Sequence, residues 1–360
     1  MKILKWTIFI VLAIIILLVI SAYMLFKSNP NYVLKHLEKN PENSALYVSV
    51  DNNEKIAYKA DTPRPLASVA KIIIALEYAY QIQDGNINED ETVPLSSLEA
   101  FYIEDTDGGA HEAWLEEMKE EDNIHEESVR LHDVASGMIT YSSNANADFL
   151  IDLLGEENIN QRMDELELEH DPIVPIAGSL AAVSKYKQEH EDWETELQNM
   201  SDKKYRELAF DTLQDMKQED IDLSPVSEVS LSEQRIWSDR LANAPAATYG
   251  KLLNNIANGS FSDNVTSTVQ ELLEWPMEKV EENKDYYKVV GSKGGSTAFV
   301  FNDTMYVERL DGQQIEIVLF TDNLSTWQSF RMQLQVNNFM VQMINDEDFL
   351  NEVEEQLQEQ

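Results

Sequence analysis

The 360-residue chain carries 66 acidic against 27 basic side chains, a formal charge of −39, and three of the basic ones (Lys2, Lys5, Lys27) sit in an N-terminal segment without acids. That balance excludes a phosphate-tracking nucleic-acid binder, whose affinity comes from Lys and Arg, and disfavours docking of the folded part on anionic lipid. With 43% hydrophobic residues there is ample core, and the absence of cysteine excludes disulfides, thiolate metal sites, a Cys nucleophile and a lipid-modified Cys. The acid excess itself reads as a solvated surface suited to salty or alkaline surroundings.

Trp6–Phe26 is a run of 21 residues without a charge. A bilayer core needs about 20 such residues in a helix. The run lacks the short apolar stretch and small-x-small site of a cleaved signal, so residues 1–27 are expected to form an uncleaved membrane anchor. Lys2, Lys5 and the terminal amine favour a cytoplasmic N-terminus, which places residues 28–360 outside the cytoplasm.

After the anchor, ALYVSV (45–50) and KIAYK (55–59) flank Asp51-Asn52-Asn53 and predict a hairpin. The stretch from about Ser68 to Asn258 is mostly helical in pattern. Within it, residues 185–240 interleave acid and base at helical spacing, with Trp193, Leu197, Tyr205, Leu208 and Leu213 available to face a core, and predict an inserted helical pair solvated on the surface; a partner-binding arm is the alternative. YYKVVG (286–291), AFVFNDTMYV (298–307) and IEIVLFT (315–321) predict three further strands, with Asp311-Gly312 turning between the last two. A helix is expected from about Ser325 to Ile344, and residues 346–360 read as an acidic tail. The expectation is an α+β domain over residues 28–345. Its antiparallel sheet is built from both chain ends, a helical lobe is inserted, and a cleft lies between the lobes.

Three motifs carry chemistry. Ser68 and Lys71 sit three apart at the start of LASVAKIIIALEYAY, a helix pattern apolar nearly all round. A hydroxyl there feels the positive end of the helix dipole, and burial would lower the Lys71 pKa, making it a usable base. A capping Ser with a snorkelling Lys is the plain structural reading of the same pair. Ser142 and Asn144, in TYSSNANADFLIDLLG, fall between two helical runs and either cap a helix or offer a hydroxyl and an amide to a cleft. Lys293-Gly294-Gly295-Ser296-Thr297 interrupts a strand pattern with glycines, which implies either a flexible turn or a close approach to the backbone. Lys293 would then offer positive charge to an anionic substrate. Between the first two motifs, Asp107-Gly-Gly-Ala-His111 reads as a glycine turn with a surface His; the alternative has Tyr102 or His111 lining the mouth of a site.

S-x-x-K opening a buried helix, S-x-N in a helical lobe and K-x-G on a strand, in that order, together resemble the serine β-lactamase and penicillin-binding protein superfamily. The likeness is nearest the class A β-lactamase-like branch and spans roughly Ser44 to Ile344. It implies that Ser68 is the acylated nucleophile, Lys71 its base or proton shuttle, and Ser142 the hydroxyl that passes a proton to the leaving nitrogen. It implies that Asn144 holds the substrate and Lys71, that Lys293 lies near the substrate carboxylate, and that the N–H groups of Ser68 and Ser296, beside Gly295, form the oxyanion hole.

Three departures stand out. Ser143 replaces the usual Asp. Gly294 replaces the usual hydroxyl residue, removing a contact to the substrate carboxylate that Ser296 or Thr297 would have to replace. No loop glutamate for the deacylating water is evident: the stretch at the expected distance reads DPIVPIAGSLAA, with Glu165, Glu167 and Glu169 somewhat earlier. The resemblance implies a membrane-anchored extracytoplasmic serine hydrolase acting on a β-lactam or a cell-wall peptide. D-Ala-D-Ala carboxypeptidase or esterase activity, or a penicillin sensor that does not turn over, are the alternatives. No metal, cofactor or nucleic-acid partner is implied.

Overall fold

The computed structural model describes residue 27, residues 29–218, residues 221 and 226, and residues 229–358. The Trp6–Phe26 run therefore lies outside the described residues, and among the described residues no helix is long and apolar enough to cross a membrane. The chain divides into two compact units, Asn40–Ser329 and a smaller one formed by residues up to Lys39 together with Phe330–Gln360.

The larger unit is built on a five-stranded antiparallel sheet. Its strands are β1 (Ser44–Val50), β2 (Asn53–Tyr58), β3 (Tyr287–Ser296), β4 (Phe301–Arg309) and β5 (Gln314–Thr321), in the order β2-β1-β5-β4-β3. The expected sharing of one sheet by both chain ends is thus observed, with β1 and β5 in register from Ser44↔Thr321 to Val50↔Ile315. Asp51 and Asn52 turn the first hairpin, both at positive φ, the conformation of tight two-residue hairpins that Asn and Asp tolerate. Lys293–Ser296 lies inside β3 and is not a flexible turn. Because β3 ends the sheet, one side of it is an open edge.

Helices supply the rest: α1 (Lys71–Gln83), α2 (Ala110–Glu120), α3 (Leu131–Thr140), α4 (Asn144–Leu154), α5 (Ile176–Glu189), α6 (Asp202–Lys217), α7 (Ala246–Ala257) and α8 (Asp263–Leu273). α1 is central and buried nearly all round, with α3, α4 and α8 packed against it. That matches its sequence, since a helix without a polar face has to be enclosed. It begins later than the pattern suggested. Ala67–Ala70 form a 3₁₀ turn, with Ala67 at φ +48°, and the α-helix starts at Lys71. The preceding residues are held elsewhere: Arg64–Pro65 pair with Asn243–Ala244, and Asn302 donates from Nδ2 to the carbonyls of Pro65 (2.7 Å) and Leu66 (3.1 Å). In the described part of residues 185–240, apolar positions that the pattern makes available to a core are used. α6 lies along α5, and Leu197, Tyr205, Leu213 and Met216 join the main core.

In the smaller unit, Asn31–Lys39 and Glu347–Gln358 are amphipathic helices. The acidic segment read as a tail buries Phe349, Leu350, Val353 and Leu357. Its acids occupy the outer face and conceal an apolar stripe at helical spacing.

Candidate active site

Lys71 organises the site. Its side chain is 0% exposed, and its Nζ donates to the Ser142 carbonyl (2.5 Å), to Asn144 Oδ1 (2.8 Å) and toward Ser142 Oγ (3.3 Å). Burial holds its ionisation well below the ordinary lysine range; the positive charge of Lys293 pushes the same way, against the carboxylates of Asp107 and Asp148. A base needs a lone pair, and a lowered ionisation favours the neutral amine that has one.

Ser142 sits on the turn between α3 and α4 at φ +70°, a strained conformation for a serine. Ser143 beside it caps α4, its Oγ accepting from Asn146 N at 3.2 Å. The residue that stands in place of the usual Asp therefore holds the turn and leaves Ser142 to point into the site. Lys293, on β3, donates from Nζ to Ser142 Oγ (2.9 Å) and to the Gly294 carbonyl (2.9 Å). Burial brings its ionisation down to about 7, opposed by Asp303. One hydroxyl thus lies between two lysine amines.

Ser68 is half-buried in the 3₁₀ turn one step before Lys71. That turn lies against β3 at Gly295, where a Cβ would come within 2.7 Å of the Leu66 carbonyl oxygen and 2.8 Å of the Ser68 nitrogen. Only glycine permits this approach, which brings the strand edge to the Ser68 backbone. Ser296 is exposed at the end of β3. Thr297 is committed elsewhere: its Oγ1 lies 2.7 Å from Ser238 Oγ and accepts from Phe299 N and Val300 N.

Of the sequence-derived residues, Lys71, Ser142, Asn144 and Lys293 are joined in one hydrogen-bonded chain, with Ser68 and Gly295 meeting through their backbones. His111 corrects the surface reading. It is buried, stacked on Tyr102 (4.7 Å between ring centres), and its Nδ1 lies 3.0 Å from Ser143 Oγ. It supports the turn from behind, and burial lowers its pKa. Glu165, Glu167 and Glu169 are exposed, the first of them paired with Arg162.

Two residues escaped the sequence reading. Asp148, wholly buried on α4, accepts from Ile176 N (2.6 Å) and Gly178 N (2.7 Å) and so fixes the start of α5; burial pushes its carboxyl up to about 7. Its signal was spacing: it falls one helical turn after Asn144, on the same face. Asn302 is the other. It clamps the Pro65–Leu66 backbone to β4 and accepts from Thr321 N at 2.9 Å.

A lysine-based serine site, between a helical region and the edge strand of an antiparallel sheet, is the arrangement of the serine β-lactamase and penicillin-binding protein superfamily. The model of the β-lactamase enzyme family matches residues 31–343, so the chain belongs to that family and is a serine hydrolase of the β-lactamase type. Solved structures agree on the fold. A β-lactamase from Chitinophaga pinensis superposes with a TM-score of 0.55 at 14% identity, covering 88% of this chain and all of that one. A β-lactamase from Sphaerobacter thermophilus gives 0.55 at 14% identity over 86% and 95% of the two chains. The structure of PBP-A gives 0.50 at 14% identity over 86% and 95%. No curated protein matches the chain.

Proposed function

We propose that the protein is a membrane-anchored, outward-facing hydrolase that opens β-lactams through an acyl-enzyme on Ser68, and that the acyl-enzyme is released slowly. The observation that carries this reading is the Lys71–Ser142–Lys293 chain. Neutral Lys71 takes the Ser68 proton as Oγ attacks the carbonyl carbon. The amide C–N bond breaks, and the leaving nitrogen takes a proton from the Ser142 hydroxyl, which is replenished from the Lys71 ammonium. Lys293 donates to Ser142 Oγ throughout and steadies the negative charge that passes through it. Asn144 holds Lys71 and the substrate side chain.

Slow release is read from the segment that Asp148 anchors, which lies at the chain distance where the resemblance puts a deacylating glutamate. Residues 172–183 contain no acid, and Ile173, Val174, Ile176, Ala177 and Leu180 there are buried. This also favours a second reading, a penicillin sensor that acylates once. The test is intact mass over time with a penicillin panel. Transient adducts with hydrolysed product support the hydrolase, a lasting adduct supports the sensor, and no adduct without hydrolysis refutes both. Hydrolysis of D-Ala peptides would move the assignment to a carboxypeptidase. The uncharged Trp6–Phe26 run supports the anchor. Protease added to intact cells should digest residues 28–360, and protection would refute that topology.

A further inference from the structure

The open edge of β3 does not run free past Lys293. Thr297 N donates to the Val300 carbonyl at 3.0 Å, so Thr297 bonds inward, and by strand alternation Gly295 and Lys293 bond inward to β4 as well. Ser292, Gly294 and Ser296 therefore turn their backbone groups outward to the edge. Of these, the Gly294 carbonyl is taken by Lys293 Nζ (2.9 Å) and the Ser292 carbonyl by Trp275 Nε1 (3.0 Å). Trp275 is half-buried and begins the short helix Trp275–Lys279.

The face of the strand closes at the same place. Lys293 and Gly291 are two apart and so face one side, together with their cross-strand partners Thr304 and Tyr306. A Cβ on Gly291 would overlap the Tyr306 ring, which crosses the strand there and donates from its hydroxyl to Glu274 Oε1 at 3.1 Å. Glu274 and Trp275 thus cover both the face and the edge one pleat beyond Lys293. From there Lys279 pairs with Glu117 on α2, and the hydroxyl of Tyr141, the residue before Ser142, lies against the same carboxylate. A strap therefore runs from one wall of the site, β3, to the other, the turn that carries Ser142.

During acylation the leaving nitrogen faces Ser142, so the rest of the leaving group points along β3 towards Lys293 and the strap. From Ser296 to Ser292 is four residues, about 13 Å of edge at about 3.3 Å each. Resting on the acyl-enzyme reading above, we propose that Trp275 is a specificity-determining residue on the leaving side: the site accepts substrates whose leaving group ends beside Lys293, a small ring or a single terminal residue, and disfavours those that carry bulk or further chain past it.

The experiment measures how fast two cephalosporins with the same acyl side chain block labelling of the full-length protein, in detergent, by a fluorescent penicillin. One carries a methyl group on the ring carbon next to the carboxylate-bearing carbon, the other an aromatic vinyl group, and each rate is divided by the compound's rate of alkaline hydrolysis. The wild type should react about tenfold faster with the methyl compound, the low end of what a steric mismatch in a pocket is worth. In Trp275→Ala, and less fully in Trp275→Leu, the two rates should converge. Melting curves identify a variant that fails to fold, and the other then decides. Equal rates in the wild type overturn the proposal whatever the variants do. A gap that persists unchanged in a folded variant overturns the role of Trp275 alone. A wild type that neither the cephalosporins nor the fluorescent penicillin modify overturns the acyl-enzyme reading, and this inference with it.

Discussion

The turn Tyr141–Asn144 and the helix start Val174–Ser179 are both fastened to α4, yet they are made of opposite material. The first is tied by the Ser143 cap and presents a hydroxyl and an amide to Lys71. The second is tied by the Asp148 carboxylate and presents apolar side chains, while the one hydroxyl in it, that of Ser179, is turned back onto the Ile176 carbonyl. Making an acyl bond needs proton carriers around the nucleophile; breaking it again needs a base for a water on the far side. The first segment contributes a hydroxyl and an amide to the first step, and the second carries no base for the second step.

The largest effect should come from the nucleophile. Ser68→Ala is expected to abolish labelling by a fluorescent penicillin while moving the melting temperature by no more than a few degrees, because the Ser68 hydroxyl is half-buried and caps neither the 3₁₀ turn nor α1. Retained labelling would remove Ser68 from the scheme and with it the contrast between the two segments.

Next in size is the gap between the two steps. General base catalysis is worth roughly 10²–10⁴-fold, and that factor should be missing from deacylation alone. Stopped-flow with a chromogenic cephalosporin should show a burst of one product equivalent per enzyme followed by slow turnover. A linear trace with fast turnover would mean that a base reaches the ester from outside residues 172–183, and Asp107, whose carboxylate acts on Lys71, would be the first to replace.

How much of this was legible beforehand follows from the length scale of each interaction. The strands and α1 were visible because alternation and an unbroken apolar face are local signals. The site lysines and Ser142 were visible because their order along the chain resembles a known pattern. The 3₁₀ turn at Ser68 was not, since it is set by Asn302 on a strand far along the chain. The burial of His111 was missed because its glycine-rich approach looks like a surface turn, whereas Tyr102 and Trp114 enclose it.

A smaller effect separates the two tethers. Removing the Asp148 carboxylate leaves the Ile176 and Gly178 N–H groups buried without an acceptor. Each such orphan costs about 1–3 kcal/mol, so Asp148→Ala should destabilise the protein by about 3 kcal/mol as measured by urea unfolding. The Lys71–Ser142–Asn144 contacts arise on the other tether. Initial acylation per folded molecule should therefore fall much less than stability; an equal loss in both would show that the two segments are not separable.

The smallest effect concerns pH and the polar side. Lys293 is brought down to about 7 in the folded state from the ordinary value of 10.5. Between those values the unfolded chain binds more protons at this residue than the folded one. Stability from this group therefore rises with pH across that window, and the full cost of burying the charge is felt below about 7. Asp148 and Asp303 run the opposite way. Raised to about 7 and about 6, they favour the folded state in acid and lose that contribution as pH climbs through those values. Replacing Lys293 by methionine removes the lysine's share and also its push on Lys71 and Asp303, whose largest cause of shift, burial, stays in place. The melting temperature of Lys293→Met relative to wild type should therefore be higher at pH 6 than at pH 9, by a few degrees for a chain of this size. Comparing each variant with wild type at the same pH cancels the shared titration of the acidic surface. A difference of the same size at both pH values would mean that Lys293 keeps its ordinary ionisation in the folded state.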